Sequence, residues 1–232
     1  MHTHNGKIKH YPIQTIIFII TGLFFALYAH DSNLYPHLST IDTAILSFLR
    51  FFLLATPVFL GFLIVQFKQR NFLKYLLLVV WILFLPYTIY SITEIRHIAE
   101  LCRLPELNTY YTEICVTKLW MLFPTFIYSA AGSLGFVFSV SQVTSHLFLV
   151  SWKKQTTIIS MCFLSGFASV FGLYTRINIW EIFSNPIMFF QSISTTTYQK
   201  DFLWNVSVFS LFVIGYFFVT NRLFRQANKS RT

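Results

Sequence analysis

Residues 72–93 read FLKYLLLVVWILFLPYTIYSIT, an apolar run broken by one charge, Lys74, and followed at once by Glu94-Ile95-Arg96-His97. A helix of roughly 20 mainly apolar residues crosses a hydrocarbon core about 30 Å thick, so this run is long enough to span a bilayer. Its two ends differ in sign. Lys68, Arg70 and Lys74 stand at the head, and Glu94 is the first acid after the tail. Because Lys and Arg collect in cytoplasmic loops, the run has a direction as well as a length.

Working outward, five further runs of the same kind lie at about 12–30, 43–67, 119–142, 156–175 and 202–220. The connections between them are short and leave no room for a folded soluble domain. Residues 1–232 therefore read as one integral membrane domain, an all-α, polytopic transmembrane helix bundle of six spans. Composition excludes an ordinary soluble fold: 55% apolar and 19% aromatic residues against 11% charged, with mean hydropathy +0.61.

Alternation of the six spans sorts the charges by side. All eight acids (Asp31, Asp42, Glu94, Glu100, Glu106, Glu113, Glu181 and Asp201) fall on one side. Eleven of the seventeen basic residues fall on the other: Lys7, Lys9, Lys68, Arg70, Lys74, Lys153, Lys154, Arg222, Arg225, Lys229 and Arg231. Both termini are therefore expected in the cytoplasm. The pI near 9.6 then expresses orientation and contact with anionic lipid, and no nucleic acid is implied. Lys7 and Lys9 before the first run resemble a secretory signal, but no clean A-x-A site follows, and the run reads as an uncleaved anchor.

Punctuation within the spans concerns packing. Pro57, Pro86 and Pro124 each free a helix carbonyl that neighbours must satisfy. Ala131-x-x-x-Gly135 and Ala168-x-x-x-Gly172 are spacings that let helices approach closely, and the bundle either stands alone or pairs through these two spans as a homo-oligomer. Tyr28, Trp120, Trp152, Trp180 and Trp204 read as interfacial anchors. Cys102 and Cys115 share an outer loop, as a disulfide or as two thiols. His146 reads as interfacial, and Ser139 and Ser141 as ordinary helix serines.

Chemistry concentrates at the outer ends of the third and fifth spans. If the helix runs on past Pro86, then Tyr90, Glu94 and His97 stack on one face, with Thr93 beside them. A carboxylate and an imidazole one turn apart can share a proton or hold a metal. The fifth span ends in Arg176, Asn178, Trp180 and Glu181, adding a planar cation, an amide and a second carboxylate at the same depth. Arg50 and His30 approach that level from the second and first spans. A guanidinium inside an apolar run is costly and calls for a carboxylate, for which Glu94 and Glu181 are the candidates. The bland reading is that Glu94 and His97 are solvated flanks and that Arg176 with Glu181 is a structural ion pair.

These residues carry a resemblance. Leu85, Pro86, Tyr90, Thr93, Glu94 and His97, and then Gly172, Arg176, Asn178, Trp180, Glu181 and Pro186, are similar to two hallmark patches of an uncharacterised family of bacterial integral membrane proteins, domain of unknown function 1361. Tyr87 stands where the family often has Asn, Leu173 where it often has Arg, and Ile179 where it has Ser; Glu replaces Asp at both acidic positions. The resemblance implies a bacterial plasma membrane location but no activity.

No H-E-x-x-H, G-x-S-x-G, Walker loop or C-x-x-C occurs in the chain. Three readings fit the residues. Arg50, Glu94, His97, Arg176 and Glu181 line an outward cavity for a small polar solute, lipid headgroup or proton; or His97 and a carboxylate serve an enzyme acting on a lipid-linked or cell-envelope substrate; or the same residues tie the helices of a structural accessory subunit together. The cofactor is left open.

Overall fold

The structure is a computed structural model that describes residues 40–67, 72–95, 122–148, 150–175 and 184–229. All the described elements are helical: α1 (Thr40–Gln66), α2 (Phe72–Tyr90) continued by a 3₁₀ segment (Ser91–Ile95), α3 (Leu122–Leu147), α4 (Ser151–Thr175), α5 (Pro186–Thr197) and α6 (Phe202–Lys229). Five of them contain stretches long and apolar enough to cross a membrane: Phe48–Gln66, Phe72–Thr93, Thr125–Leu147, Ser151–Thr175 and Phe202–Phe224. These match five of the six expected spans. The expected span at 12–30, together with His30, Cys102 and Cys115, lies outside the described residues.

The apolar surface faces outward, as lipid requires. Phe72 is 83% exposed, Trp204 69% and Leu211 68%, and Phe48, Phe52 and Phe59 of α1 are exposed as well. In water such a surface would drive association; in a bilayer it is the solvated face. The interior is a single main cluster built from α1, α2, α3, α4 and α6, with Leu60, Trp81, Phe136, Cys162 and Phe217 among its members. Helix α1 packs on α2 and α3, α2 on α3 and α4, and α4 most extensively on α6.

Glycine sets three of the crossings. A Cβ at Gly132 of α3 would stand 2.5 Å from the Thr88 carbonyl oxygen and 2.7 Å from Leu54 Cδ1, so α1, α2 and α3 meet there at contact too close for any side chain. At Gly166 a Cβ would stand 2.9 Å from the Cα of Ser210, which fixes α4 against α6. A Cβ at Gly61 would stand 2.7 Å from Ser139 Oγ. Gly132 and Gly166 sit one and two positions away from Ala131 and Ala168, which the spacing in sequence had singled out.

The polar node of the interior is Ser139. Trp81 Nε1 donates to its hydroxyl at 2.7 Å, and the hydroxyl donates to the Pro57 carbonyl at 2.8 Å, so one serine ties three helices. It is no ordinary helix serine. The bond falls on the carbonyl of Pro57 itself rather than on the carbonyl the missing amide frees.

Element ends differ from the apolar runs in a consistent way. Helix α3 continues to Leu147, α4 begins at Ser151 and α6 continues to Lys229. Apolar runs end where lipid ends, whereas a helix needs only its backbone bonds, which continue through polar residues at the membrane surface. The connection at 176–201 holds a helix of its own, α5, started by Asn185, whose side chain accepts from the Met188 amide at 3.3 Å, with Pro186 following.

Candidate functional site

Four contacts assemble one end of the bundle. Ser129 of α3 is buried and donates at 2.7 Å to the carbonyl of Ser91, the first residue of the 3₁₀ segment. Tyr128, its neighbour, donates at 3.5 Å to the backbone carbonyl of Arg50 in α1. Tyr90 of α2 lies against α4: a Cβ at Gly172 would stand 3.6 Å from Tyr90 Cε2, ordinary van der Waals contact. Asn205 of α6 donates to the Tyr174 hydroxyl at 2.6 Å. The start of α1, the end of α2, the start of α3, the end of α4 and the start of α6 thus share one level.

The Tyr90 contact decides the geometry, because Tyr90 belongs to the first sequence patch and Gly172 to the second. One residue of each patch therefore meets the other. Arg176 follows Gly172 by one helical turn in sequence, and His97 follows Tyr90 by two, but His97, Arg176, Asn178, Trp180 and Glu181 lie outside the described residues. Position 94 is described in its backbone, within the 3₁₀ segment.

Three side-chain bonds accompany the tightening of the chain at Ser91. Thr88 Oγ1 donates to the Leu85 carbonyl at 2.6 Å, Ser91 Oγ to the Thr88 carbonyl at 2.7 Å, and Thr93 Oγ1 to the Tyr90 carbonyl at 2.7 Å. Three hydroxyls in succession each reach three residues back, the reach of a 3₁₀ turn, while Ser129 holds the Ser91 carbonyl from outside. The register changes accordingly. Residues in an α-helix advance by roughly 100° and those in a 3₁₀ helix by roughly 120°, which sets position 94 over position 91 instead of over Tyr90.

Arg50 is half-buried on α1, with its backbone carbonyl accepting from Tyr128. Thr93 commits its hydroxyl to backbone. Two serines of α4 behave otherwise: Ser165 and Ser169 are each 1% exposed, and neither hydroxyl has a partner among the described residues. They lie two turns and one turn below Gly172 on the same helix face. A buried unpaired hydroxyl costs about 1–3 kcal/mol, so these two serines are a polar cost within the bundle. Among the described residues no three His, Cys, Asp or Glu side chains come together to hold a metal.

An aromatic wall flanks the site. Phe202 meets Tyr174 edge-on at 5.3 Å and Phe167 at 5.9 Å, and Phe189 of α5 meets Phe171 at 5.6 Å. Sequence reading missed this wall, Ser129 and the two α4 serines. The aromatic residues recur at Phe167, Phe171 and Tyr174 with helical spacing, a signal open to either a lipid or an interior reading.

Compared with known families, residues 49–217 match the protein of unknown function DUF1361. The chain belongs to this family. The DUF1361 match begins one residue before Arg50, takes in both patches and ends at Phe217 within α6, so the described bundle and the DUF1361 region are nearly the same object. Neither the curated proteins nor the solved structures contain a match to the chain.

Proposed function

We propose that this multi-pass DUF1361 protein binds or transports a small polar solute or lipid headgroup at the end of the bundle where Tyr90 meets Gly172, with Arg50, Tyr90, Thr93, Glu94, His97, Arg176, Asn178, Trp180 and Glu181 as its polar cluster. The observation that carries the reading is that contact, in which Tyr90 of the first sequence patch meets Gly172 of the second. Ser165 and Ser169 support it by extending unpaired polarity inward from the same face of α4. In this reading the chain is one domain of six spans in a bacterial plasma membrane, both termini are cytoplasmic and the Tyr90 end faces outward. Charge sorting supports the orientation.

The test is untargeted mass spectrometry of small molecules and lipids that co-purify with the wild type, Arg50→Leu and Tyr90→Ala proteins. A species enriched on the wild type and lost from both folded variants is expected. Identical profiles from all three would sink the binding reading. Reporter fusions test the orientation: at Lys153 the reporter is expected inside, at Glu106 outside, and the reverse result overturns the assignment.

A structural role is the second reading, favoured by Ser129 on the Ser91 carbonyl and Tyr128 on the Arg50 carbonyl, both of which tie helices at the same level. It predicts that Arg50→Leu removes the protein from the membrane altogether.

A further inference from the structure

Helix α5 changes polarity along its axis and not around it. Its residues from Pro186 to Phe190 are all apolar, whereas from Gln191 to Thr197 only Ile193 is apolar. On a helix, positions seven apart lie two turns apart on nearly the same line. Ile187 is followed in this way by Ser194, and Met188 by Thr195, and all four side chains are exposed. The bundle side is already occupied, since Phe189 and Ile193 pack against the cluster of Val170, Phe171, Phe202 and Val206. The exposed directions are thus apolar around the first turn and polar two turns later.

A protein partner takes one face of a helix; a boundary that cuts across the axis is what a change of solvent makes. Depth agrees with this. The Phe189 ring lies 5.6 Å from that of Phe171, one turn inside the end of the membrane-crossing stretch Ser151–Thr175. At the other end of α5 the chain from Tyr198 to Asp201 is exposed and carries the charges of Lys200 and Asp201. The 12 residues of α5 reach about 18 Å, short of a hydrocarbon core about 30 Å thick, so the helix can enter the bilayer but not cross it. Its start also suits a medium that leaves few amides free. Pro186 has no N–H, the Met188 amide donates to the Asn185 side chain at 3.3 Å, and the Phe189 amide donates to the Asn185 carbonyl at 3.1 Å.

We propose that the first turn of α5 is inserted among the acyl chains of the leaflet at the Tyr90 end, with Ile187, Met188 and Phe190 as its lipid contacts and the polar half, Gln191 to Thr197, in the headgroup layer. The inserted turn belongs to a lipid-facing surface shared with α6, whose Leu203 and Trp204 are exposed as well. The connection between α4 and α6 is then a membrane-dipping segment and not a loop in water. This inference is independent of the binding reading and of which compartment the leaflet faces.

Nitroxide labelling tests this on the full-length protein with Cys102, Cys115 and Cys162 changed to alanine, reconstituted in phosphatidylcholine vesicles. Labels are attached through Ile187→Cys, Met188→Cys, Ser194→Cys and Thr195→Cys, with Phe212→Cys on the exposed face of α6 as the lipid reference. Labels at 187 and 188 are expected to collide with oxygen, which concentrates in lipid, and to be shielded from an aqueous nickel chelate, as at 212. Labels at 194 and 195 should meet the nickel chelate. If the cysteine-free protein fails to fold, Ile187→Trp and Ser194→Trp with the cysteines intact give the same readout: brominated phosphatidylcholine should quench the added fluorescence of the first, and iodide that of the second. Nickel access at 187 and 188 equal to that at 194 and 195 would overturn the insertion. Labels at 187 and 188 shielded from both probes would overturn it too, in favour of a protein surface such as a second copy of the chain. Lipid-like collisions at all four positions would overturn the boundary across the axis.

Discussion

The ring of Tyr90 lies against Gly172, at a distance where a methyl group would just touch it, 3.6 Å from Cε2. Gly172→Ala should therefore fold with stability within about 0.5 kcal/mol of wild type, as ordinary substitutions do. Gly172→Leu must push α2 and α4 apart. Overpacking of this kind costs about 1–3 kcal/mol, and the two patches would separate with the helices. Tm in detergent reads the first effect, and the co-purified ligand profile reads the second. A leucine variant with wild-type Tm would show that Tyr90 and Gly172 do not set this crossing.

The tightest crossing lies elsewhere. At Gly132 a Cβ would meet the Thr88 carbonyl oxygen at 2.5 Å, and a carbonyl within a helix cannot move aside as a side chain can. Gly132→Ala should thus destabilise by about 1–3 kcal/mol, as overpacking does. Gly215, with nothing within 4 Å, is the control: alanine there should be neutral or stabilising by up to about 1 kcal/mol through helix propensity. Thermal unfolding of both variants checks the order, and a Gly132→Ala protein as stable as Gly215→Ala would refute it.

Ser139 accepts from Trp81 and donates to Pro57, so its removal orphans an indole N–H that is buried between helices. Ser139→Ala should cost about 1–3 kcal/mol, the penalty of an unpaired buried donor. In a Trp81→Phe background, which has no N–H to orphan, the same substitution should cost measurably less. A double-mutant cycle of unfolding free energies gives the coupling directly. Strict additivity would mean that the bond contributes nothing.

These interior ties mark where sequence reading stops. Spans were legible because lipid imposes a length and a polarity on Phe72 to Thr93 that no other environment would. Helix ends were less so: hydropathy registers lipid depth, and the chain from Phe148 back to Gln142 stays helical or nearly so at the surface without it. Helix α5 had a local signature in Asn185-Pro186, which a search for apolar runs passes over. Both sequence patches stood out as polar residues after apolar runs, but Tyr90 against Gly172 is a contact across 82 positions, and no spacing rule reaches that far. Lys74 was counted for its charge, and its burial beside His146 depends on how α1, α2 and α3 end together.

Ser129 supports the segment that carries position 94. Its hydroxyl holds the Ser91 carbonyl at 2.7 Å where α2 tightens into the 3₁₀ turn, and both residues are buried. Ser129→Ala leaves that carbonyl without its outside donor, at a cost of about 1 kcal/mol for a neutral hydrogen bond. The loss should be local, since the three hydroxyl bonds from Thr88, Ser91 and Thr93 remain. Amide exchange at Ser91–Ile95 should accelerate by about fivefold, the equivalent of that free energy for a local opening, while the middle of α2 keeps its protection. Hydrogen exchange with mass spectrometry resolves the two regions. Unchanged exchange at Ser91–Ile95 would mean that the 3₁₀ turn stands on its own side-chain bonds, and that the Ser129 hydroxyl has no part in positioning residue 94.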